Sequence, residues 1–222
     1  MEKIVIGLYG AGGFGKEVMS LLPTILPTLF PQSRLDDIKL CFIDDDLTRE
    51  QIIDNEILSL NDFLGQKYSQ LYYCITIADP NSRKQVALKV KSANIKALTL
   101  VFNNTTVLSN SQIGSGSIVM PGAIISAYVS IGMFTQINFN TYIAHDCRID
   151  DFVTISPSVT CCGNTEIKSG AFIGAGSIIR QGTSSKRRYV GVNSTLGIGS
   201  NLLNDLPDNK TYVGNPAIDL KS

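Results

Sequence analysis

The chain has one histidine, no tryptophan, no long apolar run and no net charge. A single imidazole, that of His145, argues against a metal centre built from several histidines. Lys plus Arg and Asp plus Glu each number 19, so no global field draws the chain to nucleic acid or a membrane surface. No apolar run approaches the roughly 18 residues that a membrane-spanning helix needs. The strand-like start, Met1-Glu2-Lys3-Ile4-Val5-Ile6, lacks signal-peptide organisation. The five cysteines (Cys41, Cys74, Cys147, Cys161 and Cys162) are an odd number without zinc spacing. That pattern fits a reduced, cytoplasmic protein. The adjacent Cys161 and Cys162 read as packing residues, because buried cysteine behaves as a small apolar group.

What the sequence does have is a β-branched residue at a fixed interval. Isoleucine or valine returns every sixth residue: Val101, Val107, Ile113, Val119, Ile125, Ile131, Ile137, Ile143, Ile149 and Ile155. Cys161 takes one turn, and Ile167, Ile173 and Ile179 continue the phase. No helix has that period, and a plain strand would not single out every third inward position. The repeat implies short strands joined by corners, with one aliphatic side chain aimed inward from each face. Three such faces make one coil of a prism. Gly114, Gly116, Gly122, Gly132, Gly163, Gly170, Gly174 and Gly176 supply residues suited to the corners. The phase breaks after Ile179, where residues 181–189 carry the polar run Ser184-Ser185-Lys186-Arg187-Arg188. Val192 and Ile198 are expected to resume it.

Residues 1–98 read differently, as a Rossmann-like α/β domain preceding an all-β domain over 99–222. Ile4–Tyr9 is a strand ending in Gly10-Ala11-Gly12-Gly13-Phe14-Gly15. A helix should follow and break at Pro23. Further strands are expected at Ile38–Ile43, residues 71–77 and residues 97–101, with a helix beginning near Pro80. Alternating strands and helices imply a small parallel sheet.

Gly10-x-Gly12-x-x-Gly15 follows a strand and opens a helix, the context in which backbone approaches phosphate. Its bland counterpart is a tight turn without a ligand. Asp44 and Asp45, at the end of the next strand, stand where an acid would meet a ribose. The sheet is too small for a full dinucleotide site, so one nucleotide or a nucleotide-linked molecule fits better. His145 falls near a corner between inward Ile143 and Ile149, and should face outward as a proton acceptor beside Asp146. Lys186, Arg187 and Arg188 either hold phosphate or form a solvated basic turn. Arg83 is either a helix-surface residue, the favoured reading, or a reach toward the nucleotide.

The repeats resemble those of the hexapeptide acyltransferases. The two halves together, with Phe42-Ile43-Asp44-Asp45-Asp46 and Ala144-His145-Asp146-Cys147, resemble the sialic acid O-acetyltransferase and bacillosamine N-acetyltransferase family. The resemblance implies a left-handed parallel β-helix, a homotrimer with sites between neighbouring helices, and acetyl-CoA as co-substrate without a metal. It implies His145 as general base with Asp146 beside it, and Asn138 near the acceptor. Ser156, Gly163, Gly174, Gly191 and Val192 match positions along the acetyl-CoA arm, and the Lys186-Arg187-Arg188 loop is expected to hold the CoA phosphates. Gly12, Gly13, Phe14, Asp44, Asp45 and Ala78 match the surface for the nucleotide of a nucleotide-linked amino sugar. Phe14 and Thr154 stand where some members carry histidine, and this departs from the bacillosamine type. The Gly-Ala-Gly-Gly-Phe-Gly turn looks closer to relatives acting on 4-amino-4,6-dideoxy sugar nucleotides (dTDP-, GDP- or UDP-linked) in O-antigen synthesis. The expected function is N-acetylation of the sugar's 4-amino group. The alternatives are O-acetylation of a sialic-type sugar, or a non-catalytic sugar-nucleotide scaffold. A γ-type carbonic anhydrase shares the β-helix but needs several histidines.

Overall fold

The computed structural model describes residues 3–48, 51–52 and 54–221. The chain divides into two compact units, Met1–Ala78 with Ser82–Leu98, and Thr99–Ser222 with Asp79–Asn81.

The first unit is built on β1 (Ile4–Tyr9), whose side chains are all buried. Apolar residues on both faces of a strand suit a central position in a parallel sheet. β1 pairs in parallel with β2 (Ile38–Ile43) on one side. The other neighbour is the parallel strand Gln70–Ile75. Helix α1 (Gly13–Leu21) gives way to a short 3-10 turn over Leu22–Thr24, with the break at Pro23 as expected. The sequence reading overlooked Asn55–Leu58, a strand that pairs with β2, and the short helix Leu60–Leu64. It also merged two strands over residues 97–101. Lys96–Ala97 joins the first unit's sheet, whereas Leu100–Val101 belongs to the second unit. Periodicity over so few residues could not reveal the change of sheet.

The second unit is a prism of three sheets, parallel through the coils and closed by an antiparallel pair, Thr211–Val213 with Ile218–Asp219. Face one carries Ile118–Val119, Gln136–Ile137, Thr154–Ile155 and Phe172–Ile173. Face two carries Ile124–Ile125, Tyr142–Ile143, Thr160–Cys161 and Ile178–Ile179. Face three carries Ser130–Ile131, Arg148–Ile149 and Thr165–Ile167. The register follows the repeat, since Ile125 stands against Ile143, Ile143 against Cys161, and Cys161 against Ile179. These inward residues form one continuous core. Each aliphatic side chain so buried stabilises by about 1.5–3 kcal/mol. Buried hydroxyls tie the corners together. Thr135 Oγ1, for example, donates to Asp150 O at 2.8 Å and accepts from Val153 N at 3.2 Å.

Two departures from the six-residue reading stand out. Val101 and Val107 keep the register but remain exposed, because they belong to the terminal coil of the stack. After the loop, the inward residues are Val190, Leu196 and Leu202, all fully buried. Val192 therefore lies at a corner, and Ile198 is 80% exposed. The loop inserts a number of residues that is not a multiple of six, so the phase shifts.

Candidate active site

Corner geometry creates the site in the second unit. A residue in the left-handed backbone region recurs every six residues: Tyr128, Phe134, Asn140, Asp146, Phe152, Ser158 and Asn164. Asp146, with φ of 61°, is one of this series. A short polar side chain tolerates that conformation at low cost. Asp146 lies where face two turns into face three, and its Oδ2 is 2.8 Å from Nδ1 of His145. The imidazole points outward and is 65% exposed.

The next coil supplies the floor. A Cβ at Gly163 would stand 2.7 Å from His145 Cε1 and 2.8 Å from Nε2. Only a residue without a side chain lets the ring lie there. Asn164 N donates to His145 O at 3.0 Å, and Gly182 N donates to Gly163 O at 3.0 Å. His145, Gly163 and Gly182 thus stack through three successive coils. Together with Asp146, Gln181 and Arg187, they line a cavity of about 650 Å³.

The polar loop forms one wall of this cavity. Lys186 Nζ and Arg188 Nη1 both bind Asp205, at 2.6 Å and 2.9 Å, and Tyr189 N donates to the same carboxylate at 3.1 Å. Burial pushes the Asp205 carboxyl up, but these donors outweigh it and hold the group below its ordinary value. Arg187 is the member of the basic trio that lines the cavity, and its guanidinium donates to Asp146 O.

The remaining expected residues lie on other edges of the prism. Asn138, Ser156 and Gly174 each follow a face-one strand and share the edge before face two. Gly191 and Val192 occupy the third edge, where Val192 N donates to Asp208 Oδ1 at 2.9 Å. Within one chain, the His145 cavity therefore gathers His145, Asp146, Gly163 and Arg187, and not the other positions.

A second cavity, of about 670 Å³, opens in the first unit. Gly12, Gly13, Phe14, Asp44, Asp45 and Ala78 all line it. Gly10 has φ of 113°, and a Cβ at Gly15 would lie 2.1 Å from Gly10 O. The glycines thus permit the sharp entry into α1. Asp44 Oδ2 accepts from Ala11 N at 2.8 Å and braces that turn. Sequence reasoning missed Tyr9, Thr76, Ile77, Ser82, Gln85 and Val86, which also line it. Tyr9 and Thr76 belong to sheet-like runs, and nothing in their spacing marks them. Arg83 departs from the helix-surface reading. It is 1% exposed, and Nη1 donates to Ile77 O at 2.7 Å and Ala78 O at 3.0 Å. A guanidinium with several donors can hold a loop's carbonyls in this way.

No family model matches the chain. A GDP-perosamine N-acetyltransferase of Escherichia coli O157:H7 is 34% identical over 215 residues, spanning 97% of this chain and 96% of that protein. WeeI from Acinetobacter baumannii AYE superposes with a TM-score of 0.91 and 34% identity, covering 98% of this chain and 100% of that one. The acetyltransferase domain of PglB from Neisseria gonorrhoeae FA1090, in complex with acetyl coenzyme A, gives 0.84 and 28%, with coverage of 98% and 100%. Identity and coverage on this scale extend over both units and both cavities. The chain belongs to the hexapeptide-repeat family of acetyl-CoA-dependent sugar-nucleotide N-acetyltransferases.

Proposed function

We propose that the protein transfers the acetyl group of acetyl-CoA to the 4-amino group of a nucleotide-linked 4-amino-4,6-dideoxyhexose, with His145 as general base. The observation that carries this reading is the outward imidazole of His145. It is held at Nδ1 by Asp146 at 2.8 Å and seated over Gly163 in an open cavity. A carboxylate at Nδ1 fixes the tautomer that leaves Nε2 as the acceptor. The GDP-perosamine N-acetyltransferase relative supports an amino-sugar acceptor.

The chemistry follows from that arrangement. A sugar ammonium must lose a proton before its nitrogen can attack. The free amine still carries a second proton that must go, and His145 Nε2 takes it as the nitrogen bonds to the thioester carbonyl carbon. Negative charge then develops on the carbonyl oxygen. The Gly163 N–H, which donates to no group among the described residues, is our candidate to stabilise it. The carbon–sulfur bond breaks, the thiolate of CoA leaves and is protonated, and the amide remains. No covalent acyl-enzyme is required, and holding two substrates together supplies much of the rate.

The assembly belongs to the same proposal. Face two bears outward Ile124, Tyr142 and Ile178, all exposed. It lies between the His145 edge and the edge of Asn138, Ser156 and Gly174. A closed ring of three copies would cover that apolar face. It would also bring the Asn138 edge of one copy to the His145 edge of the next, with acetyl-CoA between them. We read the β-helix as left-handed and the first unit as a Rossmann-like holder of the nucleotide, through Gly12, Gly13, Phe14, Asp44, Asp45 and Ala78. The reaction is assigned to the cytoplasm, where free thiols such as Cys41 and Cys74 stay reduced.

Thiol release from acetyl-CoA, measured against a panel of 4-amino sugar nucleotides, tests the reading. We expect turnover with the amine and none with the corresponding 4-hydroxy sugar. In His145→Ala, kcat should fall by about a hundredfold or more, with little change in acetyl-CoA affinity. Near-normal turnover in that variant would remove His145 from the role of base.

A further inference from the structure

Given that the first unit holds the nucleotide, we propose that Tyr9 and Lys89 are positioning residues for Asp45, making it an acceptor that selects nucleobases with a ring N–H. Three elements converge on this carboxylate. Tyr9 closes β1, Asp45 follows β2, and Lys89 lies on the helix Pro80–Lys91. Tyr9 Oη donates to Asp45 Oδ1 at 2.9 Å, and Lys89 Nζ donates to the same oxygen at 2.7 Å. Lys89 Nζ also donates to Tyr9 Oη at 3.0 Å and lies 5.7 Å from the Tyr9 ring centroid.

Both donors fall on one oxygen. Asp45 Oδ2 is engaged by no group among the described residues. Asp44, the neighbouring acid on the cavity, differs. Its Oδ2 receives the Ala11 N–H at 2.8 Å and its Oδ1 the Asp46 N–H at 3.1 Å, so both oxygens brace backbone. The cavity thus offers one uncommitted carboxylate oxygen, on a side chain fixed by two donors. Electrostatics supports the arrangement. The hydrogen bond from Lys89 holds the Asp45 carboxyl below its usual range, and the bond to Asp45 raises the Lys89 ammonium. Burial first, and Asp45 after it, raise the Tyr9 phenol. At neutral pH the group is an anion between a cation and a neutral phenol.

An ionised carboxylate only accepts hydrogen bonds. Guanine, uracil and thymine carry a ring N–H on the edge used for pairing. Adenine and cytosine present a lone pair at the matching nitrogen, which would face Asp45 Oδ2 with like charge. Phe14, Ile77 and Val86 supply apolar surface in the same cavity against which a base can lie. Base choice therefore turns on the orientation and charge of Asp45, and these depend on two residues of which Lys89 does not line the cavity.

Calorimetric titration of the full chain with GDP, UDP, dTDP, ADP and CDP tests this without turnover. At least one of the first three should bind about tenfold more tightly than ADP and CDP. Methylating the ring nitrogen of the preferred base should abolish that advantage. Lys89→Met should weaken the preferred diphosphate by about tenfold and Tyr9→Phe by about threefold. Both variants should shrink the penalty of methylation, and Lys89→Arg should restore it. The KM for acetyl-CoA should not move. A methylated diphosphate that binds the unaltered protein as tightly as its parent overturns the proposal, as does equal binding of ADP. Unchanged affinity in a folded Lys89→Met variant overturns it too. Absence of binding by every diphosphate overturns both this proposal and the nucleotide role of the first unit. Binding without base preference overturns this proposal alone and leaves the transferase reading standing.

Discussion

The two units enclose cavities of nearly equal volume, about 650 Å³ and 670 Å³, by opposite means. In the coil, chemistry-bearing residues are neighbours because they occupy the same corner in successive turns. His145 and Gly163 are 18 positions apart by register, as are Ile143 and Cys161. In the first unit, Tyr9, Asp45 and Thr76 come from distant strands, and no fixed interval relates them. A repeat makes a site predictable by counting. A sheet with connections of unequal length does not. The same contrast governs the glycines. Gly163 is required because a side chain sits on it, whereas a Cβ at Gly12 or Gly13 would meet nothing within 4 Å.

That contrast can be tested most severely at Gly163. In Gly163→Ala the new methyl displaces the imidazole, and a shift of about 1 Å at a reacting group costs roughly a hundredfold in rate. We expect a kcat close to that of His145→Ala in a protein that still folds. Gly12→Ala should leave kcat unchanged and act, if at all, on the KM for the sugar nucleotide. Steady-state kinetics on the two variants side by side measures the difference, and equal effects would erase the distinction between the cavities.

Smaller effects follow from the packing. Ile155→Ala leaves a cavity in the coil and should cost about 2–5 kcal/mol, read from chemical denaturation. Asp146→Asn should lower kcat by about tenfold, the scale of a hydrogen bond to a charged partner, because the ring keeps its floor on Gly163. A loss equal to that of His145→Ala would mean that the carboxylate does more than orient.

The smallest expected change concerns the loop beside His145. Asp205→Asn removes an anion that holds Lys186 and Arg188, and should cost about 1–2 kcal/mol once exposure of the lysine is discounted. The folded carboxyl lies below its unfolded value. Its contribution is therefore complete above the ordinary carboxylate value of about 3.9 and is lost as pH falls below that through the depressed value. Thermal melts from neutral to acid pH should show a shallower acid limb in Asp205→Asn. An unchanged limb would mean that the loop is held by its backbone bonds alone.

Much of this was legible in the residues. The six-residue period gave the coil, its register and its inward side chains from Val119 to Ile179, because each inward position must be apolar to be buried. It also identified His145 as an outward corner residue. The resumption of phase after the loop was misread at Val192 and Ile198, since a hydrophobic interval says nothing about how many residues an insertion adds. Lys186 and Arg188 read as phosphate-binding or solvated cations, and their partner Asp205 went unrecognised because it is distant in sequence.

The sequence by itself determined where aliphatic side chains must hide and which residues can turn corners, since both follow from local sterics and from exclusion of apolar surface from water. Only the tertiary structure decided which polar groups meet. The seating of His145 on Gly163, the binding of Tyr9 and Lys89 to one oxygen of Asp45, and the buried hold of Arg83 on Ile77 and Ala78 depend on ångström-scale approach between segments remote in the chain. Hydrogen bonds weaken steeply with distance and angle, and no pattern of residue types specifies either.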